Sequence, residues 1–524
     1  MAKPAFFIIN TILLLASQDV SGARILVILP TVVKSHFTTV EPYLKALAVR
    51  GHQLTVFGHF PLKESIPNYM DFVIDDDKKE FGEEKGIDIE RVLVNMNPFI
   101  NVQNLNKFGV SSCESVLSQP KVQELIKSKK NFDVVIHDVF HTDCFLAFAY
   151  KFKAITIGIS TSVLMPWANA RVGNPTNPSY IPNIFSPYSD KMNMYERMVN
   201  ALSMLLFESM HYLTVDLPTN AIVRKHFGDD TPDVTELAKN TSLVLVNSHF
   251  SLNAPRPLVP AVVEVGGMHI KGPEPLPKHI QDYLDGADHG AIYFSLGSMI
   301  QAKTFPADKR DAFLQAFAEI PQRVLWKWED SNMPGKPKNV RIEQWCPQLD
   351  ILRHPKVAAF ISHGGLLGSL EATYSGVPVI GIPFFGDQKT NLANMKQRGM
   401  AVQLDYHNIT KESVLEALRT VLDDVSYIQN ARQTARIFRD RPQSALETAI
   451  FWTEYVIRHG GAPHLRSAAV DLPTYQYLLL DVIAVMLGSF LVIIFLAVFM
   501  LRKIFKALFG SKQAPAPSSK KKRN

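Results

Sequence analysis

Nine residues that could bind a ligand follow four predicted strands in the second half of the 524-residue chain. They are Ser298 after the strand 291–294, Trp345 and Gln348 after the strand 340–343, His363, Gly365, Gly368 and Glu371 after the strand 357–361, and Asp387 and Gln388 after the strand 377–380. Ligands of parallel sheets bind outside the carboxyl ends of the strands, so we expect these residues to line one cleft.

These residue types suit a nucleotide that carries a sugar. The flat indole of Trp345 can stack on a base, and Gln348 can donate to and accept from the edge of that base. The glycines after His363 let a helix N-terminus approach a phosphate. Glu371 can accept from ribose hydroxyls, and Asp387 with the glutamine that follows it matches a row of sugar hydroxyls. Each feature alone is common, whereas their joint occurrence predicts a nucleotide-sugar site.

Strands and helices alternate around these residues. Apolar runs predict strands at 24–30, 54–57, 133–136, 155–159 and 243–247 in the first half, and at 291–294, 323–328, 340–343, 357–361, 377–380 and 400–404 in the second. Helical periodicity falls between most of them. This alternation predicts an α/β fold of two Rossmann-like domains, each with a mostly parallel sheet, that face a cleft.

The proline content suggests where the domains divide. A proline-rich segment at 253–260 predicts the linker between an N-terminal domain, 23–252, and a C-terminal domain, 261–440. A helical and juxtamembrane segment, 441–480, is expected to follow. The stretch 165–188 contains five prolines and predicts an irregular surface segment.

The stretch from Phe360 to Gln388, FISHGGLLGSLEATYSGVPVIGIPFFGDQ, resembles the signature of the UDP-glycosyltransferases. The resemblance covers nearly the whole mature chain and implies the GT-B fold, with an acceptor half followed by a nucleotide-sugar half. Where many members carry Asn four residues after the signature His, this chain has Leu367. That variant is similar to invertebrate members, which mostly use UDP-glucose, whereas vertebrate drug-conjugating members mostly use UDP-glucuronate.

The resemblance also implies a catalytic pair, His36 and Asp138. His36 follows the first predicted strand, as the catalytic His of the family does, and imidazole can remove a proton from a hydroxyl near neutral pH. Asp138 matches the position of its carboxylate partner, which would hold the imidazole tautomer and stabilise the imidazolium. The family reaction inverts the anomeric carbon and uses no metal or further cofactor.

Two acidic or histidine-rich stretches leave a metal site open as an alternative. His137, His141, Asp143 and Cys144 crowd the region of Asp138, although their spacing matches no known zinc pattern. The three aspartates at 75–77 contain an Asp-x-Asp, yet charged residues follow directly, so a solvated turn is the preferred interpretation. We predict no metal ligand.

Both ends of the chain carry apolar segments that predict a membrane protein. The run from Phe6 to Ala16 is typical of a secretory signal peptide, so we expect residues 1–22 to be removed. Residues 482–501 are 20 positions without a charge, which predicts one transmembrane helix within 481–501.

The positive charge is concentrated after this helix. The basic tail, 502–524, holds eight Lys or Arg and no acid, while the rest of the chain has 47 basic and 49 acidic residues. The positive-inside rule therefore predicts a single-pass type I protein with a luminal catalytic domain. Lys521 and Lys522 resemble the dilysine signal for the endoplasmic reticulum, although contact with anionic headgroups explains them equally well. The nearly neutral body argues against a nucleic-acid partner.

The three cysteines, Cys113, Cys144 and Cys346, allow at most one disulfide, so packing must hold the fold. Asn240 and Asn408 lie in glycosylation sequons.

The sequence therefore predicts a membrane-anchored transferase that moves a hexose, most simply glucose from UDP-glucose, to a hydroxyl of a small lipophilic acceptor, as in detoxification. The alternatives are transfer of glucuronate, transfer to a membrane lipid, and a catalytically silent binder of lipophilic ligands. A homo- or hetero-oligomer stays open.

Overall fold

A computed structural model describes residues 22–74, 88–94 and 96–510 of the chain. The predicted signal peptide apart from Gly22, the aspartates 75–77 and the tail beyond Gly510 lie outside the described residues. The chain forms two compact units, one ending at Ser467 and one beginning at Ala468.

Seven parallel strands form the first sheet, in the order β3-β2-β1-β4-β5-β6-β7. They are β1 (Arg24–Leu29), β2 (Gln53–Gly58), β3 (Tyr69–Val73), β4 (Val134–Asp138), β5 (Ile155–Ser160), β6 (Thr241–Val246) and β7 (Val262–Glu264). The central strands are buried nearly throughout, because helices cover both faces of a parallel sheet. The strand order reverses between β1 and β4, and this is where a crevice for a ligand opens.

Six parallel strands form the second sheet, in the order β10-β9-β8-β11-β12-β13. They are β8 (Ala291–Ser295), β9 (Arg323–Lys327), β10 (Val340–Glu343), β11 (Val357–Ser362), β12 (Val379–Gly381) and β13 (Ala401–Gln403). The order repeats that of the first six strands, so the second switch point lies between β8 and β11. The prediction of two Rossmann-like domains is confirmed.

Helices connect the strands. In the first half they are α1 (Lys34–Val49), α2 (Ile89–Val94), α3 (Pro98–Leu117), α4 (Pro120–Lys127), α5 (Leu146–Phe152), α6 (Met194–His211), α7 (Leu217–Phe227), α8 (Val234–Ala238) and α9 (Phe250–Asn253). In the second they are α10 (Lys278–Asp285), α11 (Ala307–Phe317), α12 (Gln348–Arg353), α13 (Leu366–Ser375), α14 (Gln388–Gln397), α15 (Lys411–Asp423), α16 (Val425–Arg439) and α17 (Ala445–Arg458).

The division between the two halves differs from the prediction. Strand β7 pairs with β6, so the first sheet extends to Glu264 and the segment 253–260, predicted to be the linker, lies between two strands of one sheet. Prolines are compatible with this position, because they lie outside β7 itself and β7 is an edge strand. The chain passes from the first sheet to the second after Glu264.

Helix α17 returns from the second half to the first. The hydroxyl of Tyr43 in α1 lies 2.6 Å from that of Thr453 in α17, and both side chains are buried. Arg50 at the end of α1 forms an ion pair with Glu447 at 2.6 Å. Part of the segment predicted as juxtamembrane, 441–480, therefore belongs to the body.

The proline-rich stretch 165–188 is largely buried, not a surface segment as predicted. Met165, Val172, Ile184 and Phe185 join the core of the first half, and two short 3₁₀ turns satisfy part of its backbone. A disulfide joins Cys113 in α3 to Cys144 before α5, which is the most that three cysteines allow, and Cys346 is a buried thiol.

The second unit contains α18 (Thr474–Tyr477) and α19 (Leu480–Phe509). The latter has 30 residues and a mean hydropathy of 3.0 over its most apolar window, so it is long and apolar enough to cross a membrane. It extends beyond the predicted span of 481–501 because Arg502, Lys503 and Lys506 continue the helix with good helix-forming residues.

Candidate active site

One cavity of about 490 Å³ is lined by residues that follow strands of both sheets. Its lining includes His36 from the first half and all nine residues predicted in the second half: Ser298, Trp345, Gln348, His363, Gly365, Gly368, Glu371, Asp387 and Gln388. Asp138 is only 4% exposed and lies behind His36. The structure therefore brings every predicted site residue to one place.

The first wall of the cavity is formed at the switch point between β1 and β4. His36 lies in the first turn of α1, and Asp138 ends β4. The Nδ1 atom of His36 is 3.4 Å from Oδ2 of Asp138 and 2.6 Å from Oγ1 of Thr161. These contacts leave Nε2 as the ring nitrogen that can take a proton from a ligand.

The carboxyl of Asp138 is held in its ionised form. Burial by itself raises the pKa of Asp138, but the hydrogen bond and charge of His36 and a 2.6 Å bond from the Thr31 hydroxyl outweigh burial, so the pKa lies below its usual value. An ionised partner beside Nδ1 stabilises an imidazolium when Nε2 accepts a proton.

Two of the residues considered as a metal site, Asp143 and Cys144, have other partners. Asp143 accepts two hydrogen bonds from Arg171, at 2.9 and 2.8 Å, and Cys144 is in the disulfide. Burial lowers the pKa of both His137 and His141 to about 4, so both rings are neutral at pH 7. Within the described ranges, no group of three potential ligands is placed to hold a metal ion.

The second wall is formed at the switch point between β8 and β11. His363 follows β11, and burial lowers its pKa to about 4, with the charge of Lys327 adding to the effect. A methyl group on Gly297 or Gly365 would approach within 2.7 or 2.5 Å of the His363 ring. The two glycines thus make room for a neutral imidazole next to the N-terminus of α13.

Gln348 and Glu371 form a hydrogen-bonded pair in this wall. Nε2 of Gln348 donates to Oε2 of Glu371 at 2.6 Å, and Gly368 leaves space for the same amide. Burial raises the pKa of Glu371 to about 7, although the bond from Gln348 opposes the shift. Nε2 of His269 lies 3.6 Å from the other carboxylate oxygen.

Asp387 immediately precedes α14, and Gln388 is the first residue of this helix. Hydrogen bonds from neighbouring groups hold both side chains. Nδ2 of Asn391 donates to Oδ2 of Asp387 at 2.9 Å. Oε1 of Gln388 accepts from the backbone N–H groups of Phe384 and Phe385, at 2.7 and 3.2 Å. The oxygen of this amide is therefore occupied, and its NH₂ group is the part that can donate to a ligand.

Trp345 is 69% exposed, so it is not the core residue that a Trp at a strand end usually is. Its indole is part of the cavity lining and offers a flat surface to a planar group.

Some residues of the site were not predicted from the sequence. Thr31 and Thr161 follow β1 and β5, so the strand-end rule could have selected them, but threonine carries no chemical signal of its own. Phe140 packs edge-on against the His36 ring at 4.6 Å between centroids. Lys327, at the end of β9, adds a cation to the second wall and pairs with Glu329 at 2.8 Å.

The lining from the first half includes an apolar part. Leu105 and Phe108 of α3 contribute to it, together with Phe140, Met165 and Phe185. The polar wall of the second half thus faces an imidazole and a partly apolar surface of the first half, so the cavity can contact both polar and apolar parts of its ligands.

Comparison with known proteins agrees with this geometry. A family model described as "UDP-glucoronosyl and UDP-glucosyl transferase" matches residues 23–514. UDP-glucosyltransferase 2 of Dactylopius coccus is 45% identical over 506 residues, 96% of this chain and 96% of that protein. UDP-glucuronosyltransferase 2A3 of Homo sapiens is 34% identical over 484 residues, 88% of this chain and 90% of that protein.

Solved glycosyltransferases share the fold. The glycotransferase of kitacinnamycin matches with a TM-score of 0.56 at 16% identity, over 83% of this chain and 99% of that chain. CalG4, the calicheamicin glycosyltransferase, matches with a TM-score of 0.52 at 17% identity and the same coverage. The predicted GT-B fold is confirmed, and the chain belongs to the UDP-glucuronosyl and UDP-glucosyl transferase family, whose members are UDP-glycosyltransferases.

Proposed function

We propose that this UDP-glycosyltransferase moves glucose from UDP-glucose to a hydroxyl of a small lipophilic acceptor, with inversion at the anomeric carbon. One observation carries the proposal: His36 and the nine donor-side residues line the same cavity, and apolar side chains such as Leu105 and Phe108 join them in its lining. The relative that is 45% identical is named a glucosyltransferase, which supports glucose as the sugar, as does Leu367.

The reaction follows from the placement of the two walls. Nε2 of His36 takes the proton of the acceptor hydroxyl, and the oxygen attacks the anomeric carbon from the side opposite the diphosphate. The new carbon–oxygen bond forms as the bond to the phosphate oxygen breaks, and UDP leaves with the electron pair. Asp138 stabilises the imidazolium, and the N-terminus of α13 with His363 stabilises the diphosphate charge.

We assign the donor roles from the chemistry of each residue. Trp345 stacks on the uracil, and Gln348 reads its edge. Glu371 accepts from the ribose, while Asp387 and the NH₂ group of Gln388 bind hydroxyls of the sugar. Ser298, Gly365 and Gly368 complete the diphosphate site. We propose no metal and no cofactor besides the UDP-sugar.

We further propose that the body lies in the lumen of the endoplasmic reticulum, with α19 as a single-pass type I anchor. The apolar length of α19, the exposed sequon residues Asn240 and Asn408, and the basic residues after α19 support this placement. Apolar acceptors concentrate in membranes, which suits a tethered enzyme.

The proposal is tested with the full chain in microsomes. UDP release is measured with UDP-glucose, UDP-glucuronate and UDP-galactose over a panel of phenols and steroids, and the product is examined by NMR. We expect the highest kcat/KM with UDP-glucose and a β-glycoside from the α-linked donor. Preference for UDP-glucuronate would establish the glucuronosyltransferase alternative, and UDP binding without turnover across the panel would establish the silent binder.

A further inference from the structure

The Nδ1 atom of His36 has two oxygen neighbours, and the carboxylate is the more distant one. Oγ1 of Thr161 lies 2.6 Å from this nitrogen, whereas Oδ2 of Asp138 lies 3.4 Å from it. Hydrogen bonds from N–H to oxygen are usually 2.7 to 3.2 Å long, so the bond to Asp138 is a long one. The closest partner of the base is therefore a threonine hydroxyl.

Asp138 is also shared with another donor. Thr31 donates to the same oxygen, Oδ2, at 2.6 Å. The backbone of Asp138 is fixed, because this residue is the last one of β4 and pairs in register with Ile159 of β5. The carboxylate can therefore come closer to His36 only if the side chain of Asp138 rotates. That rotation also changes the hydrogen bond from Thr31.

The buried side chain of Asn247 fixes the position of Thr161. Nδ2 of Asn247 donates to the backbone oxygen of Thr161 at 2.9 Å, and Oδ1 of Asn247 accepts from the N–H of Gly267 at 3.3 Å. Asn247 is buried at the end of β6. A buried amide therefore holds the threonine at the edge of the cavity, where its hydroxyl faces His36.

We propose that Thr161 is a positioning residue for His36, and this inference rests on the proposed role of His36 as the base. With Asp138 ionised beside it, Nδ1 carries the ring proton and shares this proton between Oγ1 of Thr161 and Oδ2 of Asp138. The sharing keeps Nε2 unprotonated before the reaction and holds the ring in place as the imidazolium forms. Thr161 does not touch the reacting atoms.

The test compares Thr161→Val, which removes the hydroxyl at nearly constant volume, with Thr161→Ser, which keeps it. Thr420→Val is the matched control, because Thr420 is an exposed threonine of α15 whose hydroxyl donates to the backbone carbonyl of Glu416, within its own helix. Full-length variants are assayed in microsomes for kcat, for KM of donor and acceptor, and for thermal midpoint. If the valine variant does not fold, Thr161→Ala takes its place.

The expected result is a fall in kcat of about tenfold for Thr161→Val, the size for loss of a hydrogen bond to a charged group. Both KM values stay near those of the wild type, Thr161→Ser recovers most of kcat, and Thr420→Val is unchanged. A valine variant with the kcat of the wild type overturns the inference. So does a Thr161→Ser variant that is as slow as Thr161→Val, or a rise in the KM of donor or acceptor as large as the fall in kcat.

Comparison of Thr161→Val with His36→Ala distinguishes a failure of this inference from a failure of the proposed function. If His36→Ala keeps full activity, the assignment of the base is wrong whatever Thr161 does. If His36→Ala is inactive while Thr161→Val turns over like the wild type, the base stands and only the role of Thr161 is wrong.

Discussion

At the scale of single residues, burial sets the charge of two groups that we propose to bind the donor. His363 is neutral at pH 7 because burial lowers its pKa to about 4, so one of its nitrogens can donate to a phosphate without a fixed positive charge in the site. Glu371 titrates near neutrality because burial raises its pKa to about 7. If Glu371 binds the donor as proposed, its titration makes donor binding depend on pH.

We expect the affinity for UDP to rise as the pH increases through 7, because ionised Glu371 is a stronger acceptor for the ribose hydroxyls than the protonated acid. Isothermal titration of UDP between pH 5.5 and 8.5 measures the effect. Glu371→Gln serves as the control, because any titration of the diphosphate itself persists in that variant. Equal pH dependence in the wild type and in Glu371→Gln would contradict the assignment.

The donor-side residues could be predicted because their chemical types stand out where strands end. The contacts of His36 were less accessible to sequence reasoning. Thr31 and Thr161 are separated by 130 positions and carry an ordinary hydroxyl, so only the assembled sheet shows that both point to one carboxylate–imidazole pair. His269 was missed for the same reason, since its contact with Glu371 joins residues far apart in the sequence.

At the scale of elements, the turn after β8 and the start of α13 enclose His363. Gly297 has a positive φ of 78°, and Gly365 precedes the first residue of α13 with no room for a Cβ atom beside the imidazole. The ring must therefore move when either glycine gains a side chain.

Gly365→Ala is expected to raise the KM for the UDP-sugar by about tenfold, the effect of moderate overpacking, because the displaced ring no longer meets the diphosphate. Steady-state kinetics with varied donor measure the change. Gly335→Ala is a suitable control, since this glycine has open space around it and lies outside the cavity, although its positive φ adds some strain. An unchanged donor KM in Gly365→Ala would show that His363 does not need this space.

A buried ion pair fixes the loop between β4 and α5. Arg171 and Asp143 bond through two N–H groups, and Arg171 is 4% exposed. Asp143→Ala leaves the guanidinium buried without its carboxylate and should destabilise the fold by about 3 to 5 kcal/mol. The thermal midpoint of the detergent-solubilised chain measures this loss. Asp288→Ala, which removes an exposed partner of Lys356, should leave the midpoint unchanged, and equal midpoints for both variants would contradict the expectation.

The alternation of strands and helices was enough to predict the second sheet and the centre of the first, but not the edge strands of the first sheet, β3 and β7. Strand β7 has three residues directly after a proline-rich segment, so it has too little pattern to be recognised. The amphipathic pattern of α17 predicts a helix, but it does not specify which surface covers the apolar face. The surface that α17 covers depends on contacts such as that between Tyr43 of α1 and Thr453 of α17, two residues that are far apart in the sequence.

At the scale of the whole molecule, the chain combines a nearly neutral body with an apolar helix and a basic end. Helix α19 has no buried residue in its most apolar window, as expected of a helix that is covered by lipid. The body carries its two sequon residues on exposed positions. These features allow the proposed topology to be tested on the intact protein.

We expect the full chain to stay with the membrane in alkaline carbonate and to carry an N-linked glycan sensitive to endoglycosidase H. Asn240 should be the more fully occupied sequon, because Nδ2 of Asn408 already donates to Asp405 at 3.0 Å. Asn240→Gln and Asn408→Gln, compared by gel mobility, assign each glycan. A chain without glycans in both the wild type and the variants would contradict a luminal body.

The role of His36 as the base is the central claim, and turnover of His36→Ala tests it most directly. His279→Ala is the matched control, because the side chain of His279 on α10 is 52% exposed and lies outside the cavity. With UDP-glucose and the best acceptor of the panel, we predict a kcat lowered by about 10² to 10⁴ in His36→Ala, with unchanged UDP affinity and a normal rate in His279→Ala. A His36→Ala variant that turns over at the wild-type rate would contradict the account.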